Sequence, residues 1–193
     1  MAVIRAFIAI DLSPDIQNRL DEVVSTFRAQ LPKVPIRWVA ASNIHLTLKF
    51  LGDVSLSNIN ILTDMIQVEI STHHQFDISV GGSGAFPNIH QPRVIWIGVE
   101  APPELAAIQN GIEATTGRLG YSRENRAFSP HLTLGRVSRN ATSQDVKAIS
   151  KALETTRIGF LGATCVEKIH LYRSDLRPTG AVYRQIFSSS LVK

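Results

Sequence analysis

Apolar residues recur every second position in some stretches of this chain and every third or fourth in others, and the switches between these periods divide it into strands and helices. Residues 3–10, "VIRAFIAI", are rich in β-branched and aromatic side chains and predict a strand. "DLSP" then supplies a helix start, with Ser13 as cap and Pro14 in the first helical position, where its missing N–H does no harm. Ile16, Leu20, Val23, Val24, Phe27 and Leu31 keep helical spacing and make one apolar face before "PKVP" stops the helix. In "NIHLTLKFLG" the period drops to two: Ile44, Leu46, Leu48 and Phe50 fall on one face of a predicted strand, and His45, Thr47 and Lys49 on the other. Beyond it the pattern predicts a helix at 57–70, a strand through Phe76, Ile78 and Val80, a glycine-rich loop "GGSGAFPN" and a strand at 93–99. A helix near 103–116, a strand "HLTLGRV" at 131–137, a helix near 143–154 and strands near 164–172 and 182–191 complete the chain.

The tetrapeptide "HLTL" occurs at 45–48 and again at 131–134, 86 residues later. Each copy lies in a strand that follows a strand–helix pair and precedes another helix, which suggests a duplicated α+β unit. No Pro-, Ser- or charge-rich linker separates the halves, so residues 1–193 are expected to form one domain of two lobes. On a strand, a histidine and a threonine two positions apart share a face. Unperturbed imidazole titrates near about 6.5, so two of them on opposed strands can serve as general acid and base near neutral pH. Thr47 and Thr133 would add hydroxyl donors suited to the non-bridging oxygens of a phosphate. A strand histidine is more often a hydrogen-bonded structural residue, and threonine is common in strands for its shape; the duplication and the shared face favour chemistry.

Composition removes several classes of function. With 193 residues, 44% hydrophobic and 19% charged, the chain can bury a core of ordinary globular kind. Its longest uncharged apolar runs, "VIWIGV" and "IGFLGATCV", fall far short of the roughly 20 residues of a membrane-spanning helix, and the N-terminus lacks a small-residue cleavage site. A cytoplasmic protein with no membrane partner is expected. Cys165, the single cysteine, excludes an internal disulfide and a multi-cysteine zinc site, and reads as a packing residue of a strand. "GGSGAFPN" has neither G-x-G-x-x-G nor a Lys-Ser/Thr ending, so its glycines read as turn residues. The neighbours His73 and His74 would point apart, His90 lies in the turn "PNIHQP", and His170 reads as structural though within reach of the motifs; neither a metal nor a cofactor is expected. Twenty Lys and Arg against sixteen Asp and Glu leave a net charge of +4, which favours an anionic partner. Arg37, Arg93, Arg123, Arg126, Arg136, Arg173 and Arg177 lie near the segments of interest; most such residues are solvated, and a clustered minority would grip phosphate bidentately.

The paired H-x-T-x motifs resemble those of the 2H phosphoesterase superfamily. Together with "RAFIAI", "RWV", "NIHLTLKFLG", "FPN", "RVIWIGV", "FSPHLTLGR" and "LYRSDL", they resemble its bacterial RNA 2′,3′-cyclic phosphodiesterase branch, also called 2′-5′ RNA ligases, over nearly the whole chain. The resemblance implies an α+β, bilobal fold: two pseudo-symmetric lobes, each with an antiparallel sheet and helices, flank a central cleft, and the terminal strands return to one lobe. It implies a metal-independent reaction in which His131 takes a proton from water and His45 protonates the departing ribose oxygen, opening a 2′,3′-cyclic phosphate to a 2′-phosphate. The symmetry of the sequence does not itself distinguish acid from base. Thr47 and Thr133 are the expected phosphate contacts, with Arg136 a further candidate. Trp38 and Phe86 are candidates for stacking on a base, core packing being the other reading of both. The expected partner is RNA with a cyclic phosphate end, including tRNA halves, or a cyclic nucleotide. A monomer is the expected state, and 2′-5′ ligation is the reverse chemistry. The competing reading is a non-catalytic binder of RNA ends or phosphate; the two histidines weigh against it, because Arg or Lys alone would serve binding.

Overall fold

The computed structural model describes residues 2–177 and 180–193. In chain order the elements are β1 (Val3–Ile10), α1 (Pro14–Gln30), β2 (Ile36–Trp38), β3 (Leu46–Ser55), α2 (Ile59–Ile70), β4 (Phe76–Phe86), β5 (Val94–Glu100), α3 (Pro103–Arg118), β6 (His131–Val137), α4 (Ser143–Thr155), β7 (Phe160–Val166), β8 (Lys168–Arg177) and β9 (Gly180–Ser190). The strands form two antiparallel sheets, one in the order β3-β1-β8-β9 and one in the order β2-β6-β5-β4-β7. One "HLTL" therefore lies in each sheet. The terminal strands return to a single sheet, with β1 between β3 and β8 and Ala9 opposite His170.

The helices form where the apolar spacing placed them. Ser13 Oγ accepts from the amide of Ile16 at 3.4 Å and caps α1, whose Ile16, Leu20, Val23, Val24 and Phe27 are buried. A reciprocal pair of hydrogen bonds between Thr142 and Asp145 starts α4. Helices α2 and α3 pack on each other and against β9 and β3 of the four-stranded sheet, whereas α1, although it follows β1, packs against β7 of the other sheet. The lobes thus interleave along the chain, and neither coincides with a sequence half. Buried apolar residues of both sheets join in one cluster. No described helix is long and apolar enough to cross a membrane.

Four sequence expectations are corrected. The alternation in β3 breaks at Lys49: the partners on β1 skip Leu48 and later Leu51, and each extra residue inverts the facing of the residues beyond it. Leu48 and Lys49 are consequently both buried, at 3% and 4% exposure, while Phe50 is 64% exposed. The glycine-rich segment is strand and not loop, since β4 runs through Phe86 with an irregularity at Gly82, whose φ is 66°. Gly84 in the same strand admits the Trp96 indole; a Cβ there would collide with the ring. The single strand expected near 164–172 is two, β7 and β8, and the chain passes between sheets at Glu167. Finally, Cys165 is exposed opposite Asp77 on the edge strand β7, so it does not pack in the core.

Candidate active site

The burial of alternate leucines sets the orientation of both motifs. Ile44 and Leu46 are buried, leaving His45, just ahead of β3, and Thr47 on the opposite, helix-free face, with Thr47 across from Ala9. In β6, Leu132 and Leu134 are buried, and His131 and Thr133 face away from them, opposite Gly98 and Trp96 on β5. Strands β3 and β6 belong to different sheets, yet their Cα atoms come within 8 Å of each other. The two sheets therefore approach each other along the strands that carry the motifs. A short turn at Ala41–Asn43 leads into His45 and is tied to the far strand of its sheet by the Asn43 amide, which donates to the carbonyl of Ala181 at 3.2 Å.

Each imidazole is set by backbone two residues upstream. His131 Nδ1 lies 2.7 Å from the carbonyl of Ser129. A carbonyl only accepts, so Nδ1 carries the proton and the neutral ring keeps its lone pair on Nε2. The backbone of Asn43 likewise favours the protonated form of His45. The surroundings of the two rings differ. His45 is stacked on Phe7, with ring centroids 4.6 Å apart, lies 6.2 Å from Tyr172, and meets the edge of Tyr183 at 5.2 Å. Burial among these rings lowers its pKa to about 4 against the opposing pull of the Asn43 backbone and the Asp11 carboxylate. His131 meets Phe86 edge to face at 4.8 Å. Its pKa is also lowered, first by burial, against the Ser129 hydrogen bond and with a contribution from the Arg136 charge.

Both shifts disfavour the imidazolium in the free protein, and an anion held between the rings would favour it. In an NMR titration of the ring protons, His45 is expected to show a midpoint near about 4, moving to higher pH in saturating inorganic phosphate. A midpoint that phosphate leaves in place would separate the histidines from any anion site.

The other expected site residues divide. In β6 the pairing with β5 skips Leu134, and this extra residue turns Arg136 onto the same face as His131 and Thr133, where strict alternation would have opposed it. Phe86 lies beside His131. Trp38 is not brought to the motifs: it faces α1, stacked on Phe27 with centroids 6.4 Å apart, and its ring covers Gly135, where a Cβ would stand 2.9 Å from it. It is partly buried and packs against the core.

Several residues of the site escaped the sequence. Trp96 lies opposite Thr133 on the open face, its buried Nε1 without a partner among the described residues. Tyr172 lies opposite Phe7 and donates its hydroxyl to both carboxylate oxygens of Asp11 at 2.7 Å, with His170 Nε2 3.7 Å from the same group. A His-x-Tyr pattern in a strand was the only hint, since the facing depends on pairing between the two ends of the chain. Away from the site, His73 Nε2 lies 3.2 Å from Glu69, His74 Nδ1 lies 3.3 Å from the carbonyl of Lys193, and His90 is exposed. Among the described residues no group of three or more His, Cys, Asp or Glu is arranged to hold a metal ion.

Known proteins resemble this chain in sequence and fold. A family model described as LigT like Phosphoesterase matches residues 10–96 and again residues 97–183, one copy around each motif. The RNA 2′,3′-cyclic phosphodiesterase of Methanothermobacter thermautotrophicus is 29% identical over 180 residues, covering 93% of this chain and 95% of the relative. That of Archaeoglobus fulgidus is 32% identical over 183 residues, covering 94% and 97%. Among solved structures, Escherichia coli LigT complexed with 3′-AMP superposes with a TM-score of 0.78 at 27% identity, covering 100% of both chains.

Proposed function

We infer the activity from one premise: the chain belongs to the LigT-like phosphoesterase family. It is an enzyme that hydrolyses RNA 2′,3′-cyclic phosphate ends, the activity named for its relatives. In the proposed step a water oxygen attacks phosphorus while His131 Nε2 accepts the water's proton, the bond from phosphorus to O3′ breaks, and His45 delivers a proton to O3′. The products are a 2′-phosphate and a 3′-hydroxyl. The Thr47 and Thr133 hydroxyls and the Arg136 guanidinium hold the non-bridging oxygens, on which charge accumulates in the transition state. The observation that carries this reading is the placement of one His-x-Thr pair on the open face of each sheet, on strands β3 and β6 that approach each other. The local chemistry is compatible with the division of labour that the family resemblance implies. The Ser129 carbonyl fixes the tautomer of His131 that leaves Nε2 free to accept a proton. Burial makes the His45 imidazolium, once the substrate's charge has induced it, a strong proton donor.

The test is to incubate the protein, exhaustively treated with chelator, with a 2′,3′-cyclic mononucleotide and with a short RNA ending in a cyclic phosphate, and to identify the products by phosphorus NMR. Both substrates are expected to give the 2′-phosphate at a rate that chelation leaves unchanged. A 3′-phosphate product, or a lost rate that one divalent ion restores, would overturn the two-histidine reading.

A further inference from the structure

We propose that the groove at the ends of β2, β5 and β6 is a track for the single-stranded RNA that leads to the cyclic end, so that the protein grips several nucleotides and not the terminal one alone. This rests on the proposed function. The groove has a volume of about 920 Å³, and its lining includes Arg37, Arg93, Arg136 and Arg139 and no acidic residue. All four arginines are exposed. None of them forms an ion pair among the described residues, although Lys49, Arg126 and Arg173 each find a carboxylate. Arg37 and Arg136 stand directly opposite each other across the β2–β6 pair. Like charges in that position destabilise a sheet, so the arrangement works against folding and calls for an anion from outside.

The place and chemistry of the groove name that anion. The irregularity at Leu134 that turns Arg136 toward His131 and Thr133 also joins the groove to the motif face, and the Arg136 charge is felt at His131. From Arg136 the lining continues along the strand ends to Arg37, Arg93 and Arg139, away from the histidines. A cyclic phosphate occupies the 3′ end of an RNA, so the only strand that can continue outward from the site runs toward the 5′ side. Guanidinium forks match successive phosphates, and the groove's apolar lining, Val94 and Val137, offers no aromatic anchor of the kind protein partners use.

The experiment replaces the three arginines outside the proposed phosphate grip, as Arg37→Gln, Arg93→Gln and Arg139→Gln together, with Arg136 retained. Fluorescence anisotropy measures binding of an RNA octanucleotide ending in a 2′-phosphate, and kcat/KM is compared for the octanucleotide and the mononucleotide with cyclic ends. The octanucleotide is expected to bind about tenfold or more weakly, with its log-affinity against log-salt slope reduced by about 2, since each phosphate neutralised on a single strand contributes roughly 0.7. Its kcat/KM should fall in step, while that of the mononucleotide stays as it was. Unchanged octanucleotide binding, equal losses for both substrates, or tighter arginine-dependent binding of poly-glutamate than of RNA would overturn the track. Arginine-dependent octanucleotide binding by a protein that hydrolyses neither substrate would uphold the track and reject the catalytic reading.

Discussion

Replacing either motif histidine by alanine is expected to lower kcat/KM for a cyclic mononucleotide by about 10²–10⁴-fold, the usual contribution of a positioned general acid or base. The two losses should not multiply. If one proton leaves water as another reaches O3′ in the same transition state, removing the second histidine disables a step already disabled, and the double variant should fall little below the worse single one. His45 is half-buried against Phe7, Tyr172 and Tyr183, so its alanine variant also opens a gap in an aromatic cluster. His45→Asn, which retains a polar planar group, separates that packing loss from the lost proton transfer, and circular dichroism reports whether each variant is folded. Thr47→Val and Thr133→Val keep the branched shape and delete only a hydroxyl donor to phosphate, so their effects should be smaller. Folded single-histidine variants that both turn over substrate at the parent rate would leave "HLTL" as two ordinary strands.

The largest effect on stability is expected at a residue that takes no part in the chemistry. Lys49 projects into the core, where its Nζ donates to Glu113 Oε2 at 2.5 Å and to the carbonyl of Ser122 at 2.8 Å. Lys49→Ala strands the Glu113 carboxylate, whose side chain is 12% exposed, and is expected to cost about 3–5 kcal/mol in urea unfolding. The cost belongs to the abandoned charge more than to the missing attraction. Lys49→Met combined with Glu113→Leu, which removes both charges and fills the space, should recover most of it. A single variant within about 1 kcal/mol of the parent would show that water reaches Glu113 once the lysine is gone.

The same strand shows what the sequence made legible and what it did not. His45 and Thr47 could be assigned to the open face because alternation is a local property, and the flanking Ile44 and Leu46 are indeed buried. The reading fails two residues later, because an extra residue in β3 is defined only against its partner β1. A register between strands separated by a whole helix leaves no periodic mark in either. Arg136 is the same lesson in reverse: alternation counts it onto the face opposite His131, and the irregularity at Leu134 returns it. The glycines at 81, 82 and 84 suggested turns, yet Gly82 serves a strand irregularity and Gly84 admits an indole from the adjacent strand. Trp96 was plain as a strand residue and invisible as a neighbour of Thr133. Single elements and their caps were readable; the aromatic wall around His45 was not, because Phe7, Tyr172 and Tyr183 meet only when the chain's ends do.

The insertion of β1 between β3 and β8 bears on how the enzyme comes into being. A ribosome releases the N-terminal strand first, and its pairing with β3 can form early, but the other edge of β1 stays open until residues 168–177 have been made. Tyr172 and Tyr183, which shape the surroundings of His45, emerge after both motifs. A nascent chain that already contains both histidines, both threonines and Arg136 therefore lacks half of one sheet and two of the three rings around His45. An unpaired strand edge is what chaperones recognise and what aggregation exploits. The architecture thus defers completion of this sheet until residues beyond both motifs have been made: a chain stalled between Arg136 and residue 168 holds every motif residue on an incomplete sheet, with one edge of β1 open to misfolding.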